Sequence, residues 1–193
     1  MERIYITENK LQEIIEERRF KDHIERYLFV RRFVYGTVID LGCGIGYGSR
    51  LIVDNPDVKM VVGYDICEET IQYANHNFKK DKVILTSNID NLVKSDVLIA
   101  FELIEHIEDP KEFKDYVEMI NPNIAIISFP DKPSTSYNKF HYHDYNKQDI
   151  CNIMEGYIAV KSMSIKDVTL MIFLKAPKDM PQVSYHNFLD IWN

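Results

Sequence analysis

The chain is 193 residues long, with 46% hydrophobic and 27% charged residues and a formal net charge of −7. That length favours one domain with a proper core, and the composition excludes fibrous and disordered classes. The acidic balance gives no bulk attraction to a phosphate backbone, so nucleic acid is not an expected partner.

The opening MERIYITENK has no apolar h-region, and nowhere do roughly 18 apolar residues run together, so neither a secretory signal nor a membrane span is expected. Residues 8–34 read as one helical run, with Leu11, Ile14, Ile15, Phe20, Ile24, Tyr27 and Leu28 spaced by threes and fours. Its cations, Arg18, Arg19, Lys21, Arg26, Arg31 and Arg32, alternate with Glu16, Glu17, Asp22 and Glu25 and read as a solvated face. Gly36 ends the run, and Thr37–Leu41 (TVIDL) is a buried strand, followed by a glycine-rich turn and a helix over Tyr47–Val53. The beat repeats with strand Val58–Tyr64, helix Glu68–Phe78, and strands Lys82–Leu85 and Asp96–Phe101. Asp109 then caps a helix from Pro110 to Met119, ahead of a strand over Asn123–Ser128. A polar stretch, Asp131–Tyr145, leads to a helix over Lys147–Met154 and strands Tyr157–Ile165 and Thr169–Lys175, whose short separation predicts an antiparallel hairpin. Alternating strands and helices predict a mostly parallel sheet covered on both faces. Cys43, Cys67 and Cys151 fit neither a disulfide framework nor a zinc pattern, which predicts a reducing cytoplasm.

Two acids stand at strand ends, where an open α/β sheet binds its ligands. Asp40 lies in VIDLGCGIG, followed by Gly42, Gly44 and Gly46, which let the backbone turn tightly and approach a ligand. Asp65 ends VVGYD, and a carboxylate there can accept from both hydroxyls of a ribose. A glycine turn alone also serves as a plain strand–helix connection; the acid on the next strand is what argues for a ligand. An acid beside the turn would repel a pyrophosphate but can order a cationic amino-acid group.

The segment VIDLGCGIGYGS resembles motif I of class I S-adenosylmethionine (SAM)-dependent methyltransferases, and VVGYDICEETIQYA resembles their motif II. DVLIAFELIEHIEDPKEF is similar to motif IV with its following helix, and NIAIISFP to motif V. His23-x-x-Arg26-Tyr27-x-Phe29 and GYGS are similar to methyltransferases of polysaccharide-assembly loci, and the likeness covers roughly residues 20–175. It implies a Rossmann-like, seven-stranded, mostly parallel sheet with an antiparallel C-terminal hairpin and helices on both faces. Residues 1–193 then form a single domain: an N-terminal helical cap (1–35), a core (36–175) and a tail (176–193) in which Phe188 and Trp192 dock onto the core. The resemblance implies that Asp40, Gly42 and Gly44 line the methionine end of SAM, with Gly46 supporting the turn and Cys43 packed beneath it. Asp65 would hold the ribose, Ile66 would lie against the adenine, Ile89 would belong to the cofactor site, and Phe101 and Glu102 would floor the pocket. Asn88 stands where the family usually has an acid for the adenine amine; its amide oxygen can accept the same bond.

SAM brings its own electrophile, so the chain has to orient a nucleophile and, for a hydroxyl acceptor, remove a proton. Glu102, Glu105 and His106 are spaced to share one face of a helical turn, and His141 follows in the polar stretch. His106, His141 and Glu102 are the catalytic candidates without a metal. The alternative comes from likeness to ubiquinone-pathway and small-RNA 2′-O-methyltransferases, in which such a set holds a divalent metal; here Glu102, Glu105, His106 and His141 would bind Mg²⁺ or Mn²⁺. Tyr137, Tyr142 and Tyr145 belong to the segment expected to cover the acceptor, together with the N-terminal helix. The expected reaction is O-methylation of a small molecule or a sugar or glycan precursor. The alternatives are metal-assisted RNA 2′-O-methylation and a non-catalytic SAM-binding regulator.

Overall fold

The computed structural model describes residues 5–17 and 22–177. They form helices α1 (Glu8–Glu16), α2 (Asp22–Val30), α3 (Tyr47–Ile52), α4 (Glu68–Phe78), α5 (Pro110–Ile120) and α6 (Lys147–Ile153). The strands are β1 (Gly36–Leu41), β2 (Val58–Tyr64), β3 (Val83–Thr86), β4 (Val97–Phe101), β5 (Ile124–Pro130), β6 (Tyr157–Ile165) and β7 (Val168–Lys175). They make one seven-stranded sheet in the order β3-β2-β1-β4-β5-β7-β6. β1 and β3 run parallel to β2, whereas β7 runs antiparallel to both β5 and β6. The chain divides into two compact units, residues 1–97 and 98–193.

In the first unit, β1 and β2 bury nearly every side chain, as strands covered on both faces must. Val38, Ile39, Val61 and Val62 pack with Leu51 and Ile52 of α3 and with Ala74 and Phe78 of α4, all at 1% exposure or less. Each such aliphatic side chain withdrawn from water contributes roughly 1.5–3 kcal/mol. α1 starts at Thr7, whose hydroxyl accepts from the Lys10 amide, and is tied to α3 by an Arg50–Glu8 ion pair at 3.0 Å. The Tyr73 hydroxyl on α4 donates to the Ile6 carbonyl, 3.3 Å away.

The helical run expected over residues 8–34 is therefore two helices. α1 ends with Glu17 as its C-cap, and α2 stops at Val30. No glycine or proline marks either end in the sequence. The solvated basic face also needs correction at Arg26, which is fully buried, with a guanidinium nitrogen 2.8 Å from His23 Nδ1. Ile24, Tyr27 and Val30 turn the same side of α2 inward and carry Arg26 with them. Arg32 is exposed as expected and lies 5.2 Å from the Phe29 ring centre. Arg18, Arg19 and Lys21 lie outside the described residues, as do Phe188 and Trp192.

In the second unit, Leu98, Ile99 and Ala100 are fully buried in β4, and Ala125–Ile127 are fully buried in β5. α5 presents Phe113, Val117 and Ile120 inward. Its start is the expected one: the Asp109 carboxylate accepts from the Lys111 amide at 2.9 Å and Pro110 occupies the first turn. α6 is fixed by a capping box between Asn146 and Asp149. The hairpin turn is tighter than the sequence suggested, with only Lys166 and Asp167 between β6 and β7 and Lys166 at φ 58°. Among the described residues, no helix is long and apolar enough to cross a membrane.

Candidate active site

The first unit carries a turn built from backbone amides. β1 delivers Asp40, and Gly42, Gly44 and Gly46 follow at φ 75°, 55° and 84°, a region costly for residues bearing a Cβ. The Gly42 and Cys43 amides both donate to the Tyr64 carbonyl, at 2.8 and 2.9 Å, which pins the turn to the end of β2. Asp65 locks it further: Oδ2 accepts from the Gly44 amide at 3.1 Å and Oδ1 from the Cys67 amide at 2.9 Å. Asp65 itself is buried, so it holds the turn from beneath.

The glycines do different jobs. A Cβ on Gly44 would meet nothing within 4 Å, so the turn faces open space there. A Cβ on Gly46 would press on Leu85 and Ala74 at 3.0–3.1 Å, so that glycine serves packing. Cys43 is buried, with Sγ 3.6 Å from the Gly44 carbonyl, in the place expected beneath the turn. Ile66 and Ile89 follow the ends of the paired strands β2 and β3 and are 73% and 44% exposed, an unusual state for two isoleucines. Asn88 is exposed, and its Oδ1 already accepts from the Asp90 amide at 3.0 Å as the cap of a short 3₁₀ turn.

Asp40 differs from a plain ligand-facing acid. It is fully buried, Oδ1 accepts from the Tyr27 hydroxyl at 2.9 Å, and Oδ2 accepts from the Ser49 hydroxyl at 2.6 Å. Burial pushes its carboxyl up to about 6, although both hydroxyl bonds pull the other way. Sequence reasoning singled out neither Ser49 nor Gly48 as a site residue. The signal was the small-residue spacing of GYGS: a Cβ on Gly48 would sit 2.1 Å from the Tyr27 ring.

The second unit carries side chains instead. β4 ends at Phe101, which is buried, and Glu102, whose backbone sits at φ 47° while its amide donates to the Ser128 carbonyl at 2.9 Å. The next turn, Ile104–His106, is 3₁₀. The α-helical turn expected to align Glu102, Glu105 and His106 is therefore absent, because the left-handed Glu102 ends the strand without entering a helix.

His106 is well oriented. Its Nδ1 donates to the Phe140 carbonyl at 2.9 Å, which fixes the tautomer and leaves the Nε2 lone pair as an acceptor. Burial lowers its pKa, so the ring is neutral at neutral pH. The His141 ring meets it edge-on, with centres 4.6 Å apart. His141 is clamped on both sides: Asn138 Nδ2 donates to its Nε2 at 2.9 Å, and its Nδ1 donates to Ser134 Oγ at 2.6 Å. Asp144 in turn fixes Ser134, accepting from the amides of Ser134 and Thr135 at 2.6 and 3.0 Å and from the Thr135 hydroxyl at 2.6 Å.

Two further bonds join this loop to the 3₁₀ turn and its exit: the Tyr142 amide to the Glu105 carbonyl, and His143 Nε2 to the Glu108 carbonyl, both at 2.8 Å. Ligand atoms of Glu105, His106 and His141 all lie within 4.8 Å of one another. Glu102 is not in that group. Glu105 is buried, and Tyr145 is pushed up to about 12, first by burial and then by the Glu105 charge.

Residues 11–156 match the family described as "Methyltransferase domain". The chain belongs to this family. A Mycolicibacterium smegmatis relative, described as a probable S-adenosylmethionine-dependent methyltransferase, is 27% identical over 61% of this chain and 49% of its own length. The Dictyostelium discoideum mitochondrial ubiquinone biosynthesis O-methyltransferase is 29% identical over 52% of this chain and 37% of its own. The Mus musculus small RNA 2′-O-methyltransferase is 30% identical over 58% and 35%. This chain thus spans about half or less of the curated relatives it matches. Among solved structures, the Bradyrhizobium japonicum N-methyltransferase NodS, in complex with S-adenosyl-L-homocysteine, shares the fold with a TM-score of 0.64 at 15% identity, covering 81% of this chain and 88% of that one. The residues of the first unit fit S-adenosylmethionine: an open cradle at Gly44, an acid at the end of β2, and two exposed isoleucines for a flat base.

Proposed function

We propose that this methyltransferase acts on a hydroxyl of a small molecule or a sugar or glycan precursor, with His106 as the general base. The observation that carries this reading is the oriented, neutral His106 ring, with Nδ1 committed to a carbonyl and Nε2 left as an acceptor. Beside it the loop exposes Tyr137, Phe140 and Tyr142 at 76%, 42% and 55%, an apolar and hydroxyl-bearing surface suited to a ring-shaped acceptor. The acidic net charge favours such an acceptor over a polyanion.

Bound SAM would supply the electrophilic methyl group. Asp65 would accept from its ribose hydroxyls, Ile66 and Ile89 would flank its adenine, and Asn88 would accept from the adenine amine through its remaining lone pair. Gly42 and Gly44 would admit its amino-acid end under the influence of Asp40. His106 Nε2 takes the acceptor proton, and His141 packs edge-on against the His106 ring. The three free cysteines fit a reducing cytoplasm.

A second reading rests on Glu105, His106 and His141, whose mixed carboxylate and imidazole donors suit a divalent cation in RNA 2′-O-methylation. The mouse relative favours it. Glu105 and His106 would hold the ion directly, and His141 after releasing Asn138. Transfer of label from SAM to nucleotide sugars, phenols and RNA, with and without chelator, separates the readings. Turnover of a nucleotide sugar or phenol that resists chelator is expected; chelator-sensitive RNA methylation restored by Mn²⁺ establishes the second reading, and no transfer to any acceptor points to a SAM-binding regulator.

A further inference from the structure

Asp40 is screened from direct contact by burial, so it acts on a ligand through its charge, and the groups that hold it set that charge. Tyr27 and Ser49 hold it, and they come from different elements, α2 and α3. The Tyr27 ring lies flat against Gly48, where any Cβ would overlap it, and meets Tyr47 edge-on at 5.8 Å. Its hydroxyl is raised well above 10 by burial and by the Asp40 charge, so it remains a protonated donor across the working range. The groups facing Asp40 are Tyr27 from α2, Ser49 from α3 and Asp65 beyond β2, while Tyr47 and Cys43 face the Tyr27 hydroxyl. Asp65 adds repulsion, and the two hydroxyls are the neutral donors that favour the ionised carboxylate.

We propose that Tyr27 is a positioning residue for cofactor binding: it keeps Asp40 ionised and in place beside the glycine turn, so that α2 docking and binding of the cationic amino-acid end of SAM are one coupled event. The proposal rests on the SAM reading of the first unit. Before the cofactor arrives, a buried carboxylate with a titration point near 6 is a poorly compensated charge. A positive ligand group compensates it, and that stabilisation returns through Tyr27 to α2. Removing the Tyr27 hydroxyl alone makes the ionised form harder to hold.

The sign follows from the raised value. Ligand binding favours ionised Asp40, so SAM affinity in the wild type falls as pH drops through about 6, by up to about tenfold per unit. Tyr27→Phe keeps the ring against Gly48 and loses one hydrogen bond to a charged group. Affinity is expected to fall about twofold at neutral pH and towards about tenfold below pH 6, with the midpoint of the pH dependence moved upward by about one unit. Ser49→Ala removes the other donor and should move the midpoint the same way, which covers the case of a poorly folding Tyr27 variant. Calorimetric titration with SAM from pH 5 to 8.5 reads both quantities, and hydrogen exchange on α2 should slow on binding in the wild type and less so in Tyr27→Phe. Wild-type affinity with an unmoved midpoint in both variants overturns the proposal alone. No SAM binding by the wild-type chain overturns the cofactor reading and the proposal with it.

Discussion

The glycine turn after β1 and the histidine pair of the second unit are built by opposite means. In the turn, the bonding groups are main-chain amides and carbonyls of residues 42–46, closed by one acid, Asp65. In the histidine pair, the bonding groups are side-chain tips, and a loop from Ser134 to Asp144 holds them through a relay of polar side chains. Backbone geometry dictated by glycine tolerates little change and determines whether a ligand enters. A side-chain relay tolerates drift but sets the alignment on which a proton transfer depends. Damage to the first should therefore appear in binding, and damage to the second in turnover.

The largest expected effect tests the second half of that contrast. His106→Ala should reduce turnover by roughly 10²–10⁴-fold, with SAM affinity little changed, since it removes the proposed general base and no part of the glycine turn. Stopped-time assays of methyl transfer alongside calorimetry check this; a loss of SAM binding in the variant would erase the separation. Next in size, Asp65→Ala should weaken SAM binding by about ten- to a hundredfold, because it removes a charged acceptor and releases the Gly44 and Cys67 amides. Equal losses in kcat at saturating SAM would show that the turn also governs the chemistry. The smallest effect sharpens the comparison. Asp144→Asn should lower kcat by about tenfold or less and leave SAM binding intact, as His141 loses part of its support. The Asp144 carboxyl lies below its usual value because the Thr135 hydroxyl and the Ser134 and Thr135 amides donate to it. Its depressed value means that its contribution is present above the ordinary carboxylate range and is lost as pH falls through the lowered value. Wild-type kcat should accordingly show no step from Asp144 between pH 6 and 8.

The same contrast explains what the sequence could and could not reveal. Buried parallel strands announce themselves as β-branched apolar runs, and β1, β2, β4 and β5 were readable for that reason. The glycine turn was readable because its conformation needs glycine at fixed positions. Where bonds join residues distant in the chain, pattern reading had nothing to work on. The Asp144 clamp on Ser134 looks like an ordinary polar loop in sequence, and Arg26 looks like one more surface cation until α2 is packed. The spacing of Glu102, Glu105 and His106 suggested a helical face because periodicity carries no information about a left-handed residue at its head. The break within residues 8–34 was hidden for a related reason: α1 stops at ordinary helix-forming residues, with no local signal to mark the end.

Glu102 holds a left-handed backbone at φ 47° where glycine would be unstrained, and such a residue costs about 1–2 kcal/mol. A glycine at this position should raise the melting temperature by a few degrees while deleting the carboxylate at the end of β4. In a library sorted for heat resistance, this substitution would enrich; in one sorted for methyl transfer, it should disappear if the carboxylate serves the reaction. The position is thus an internal gauge of selection: the residue found there in any variant lineage records whether that lineage was kept for its durability or for its chemistry.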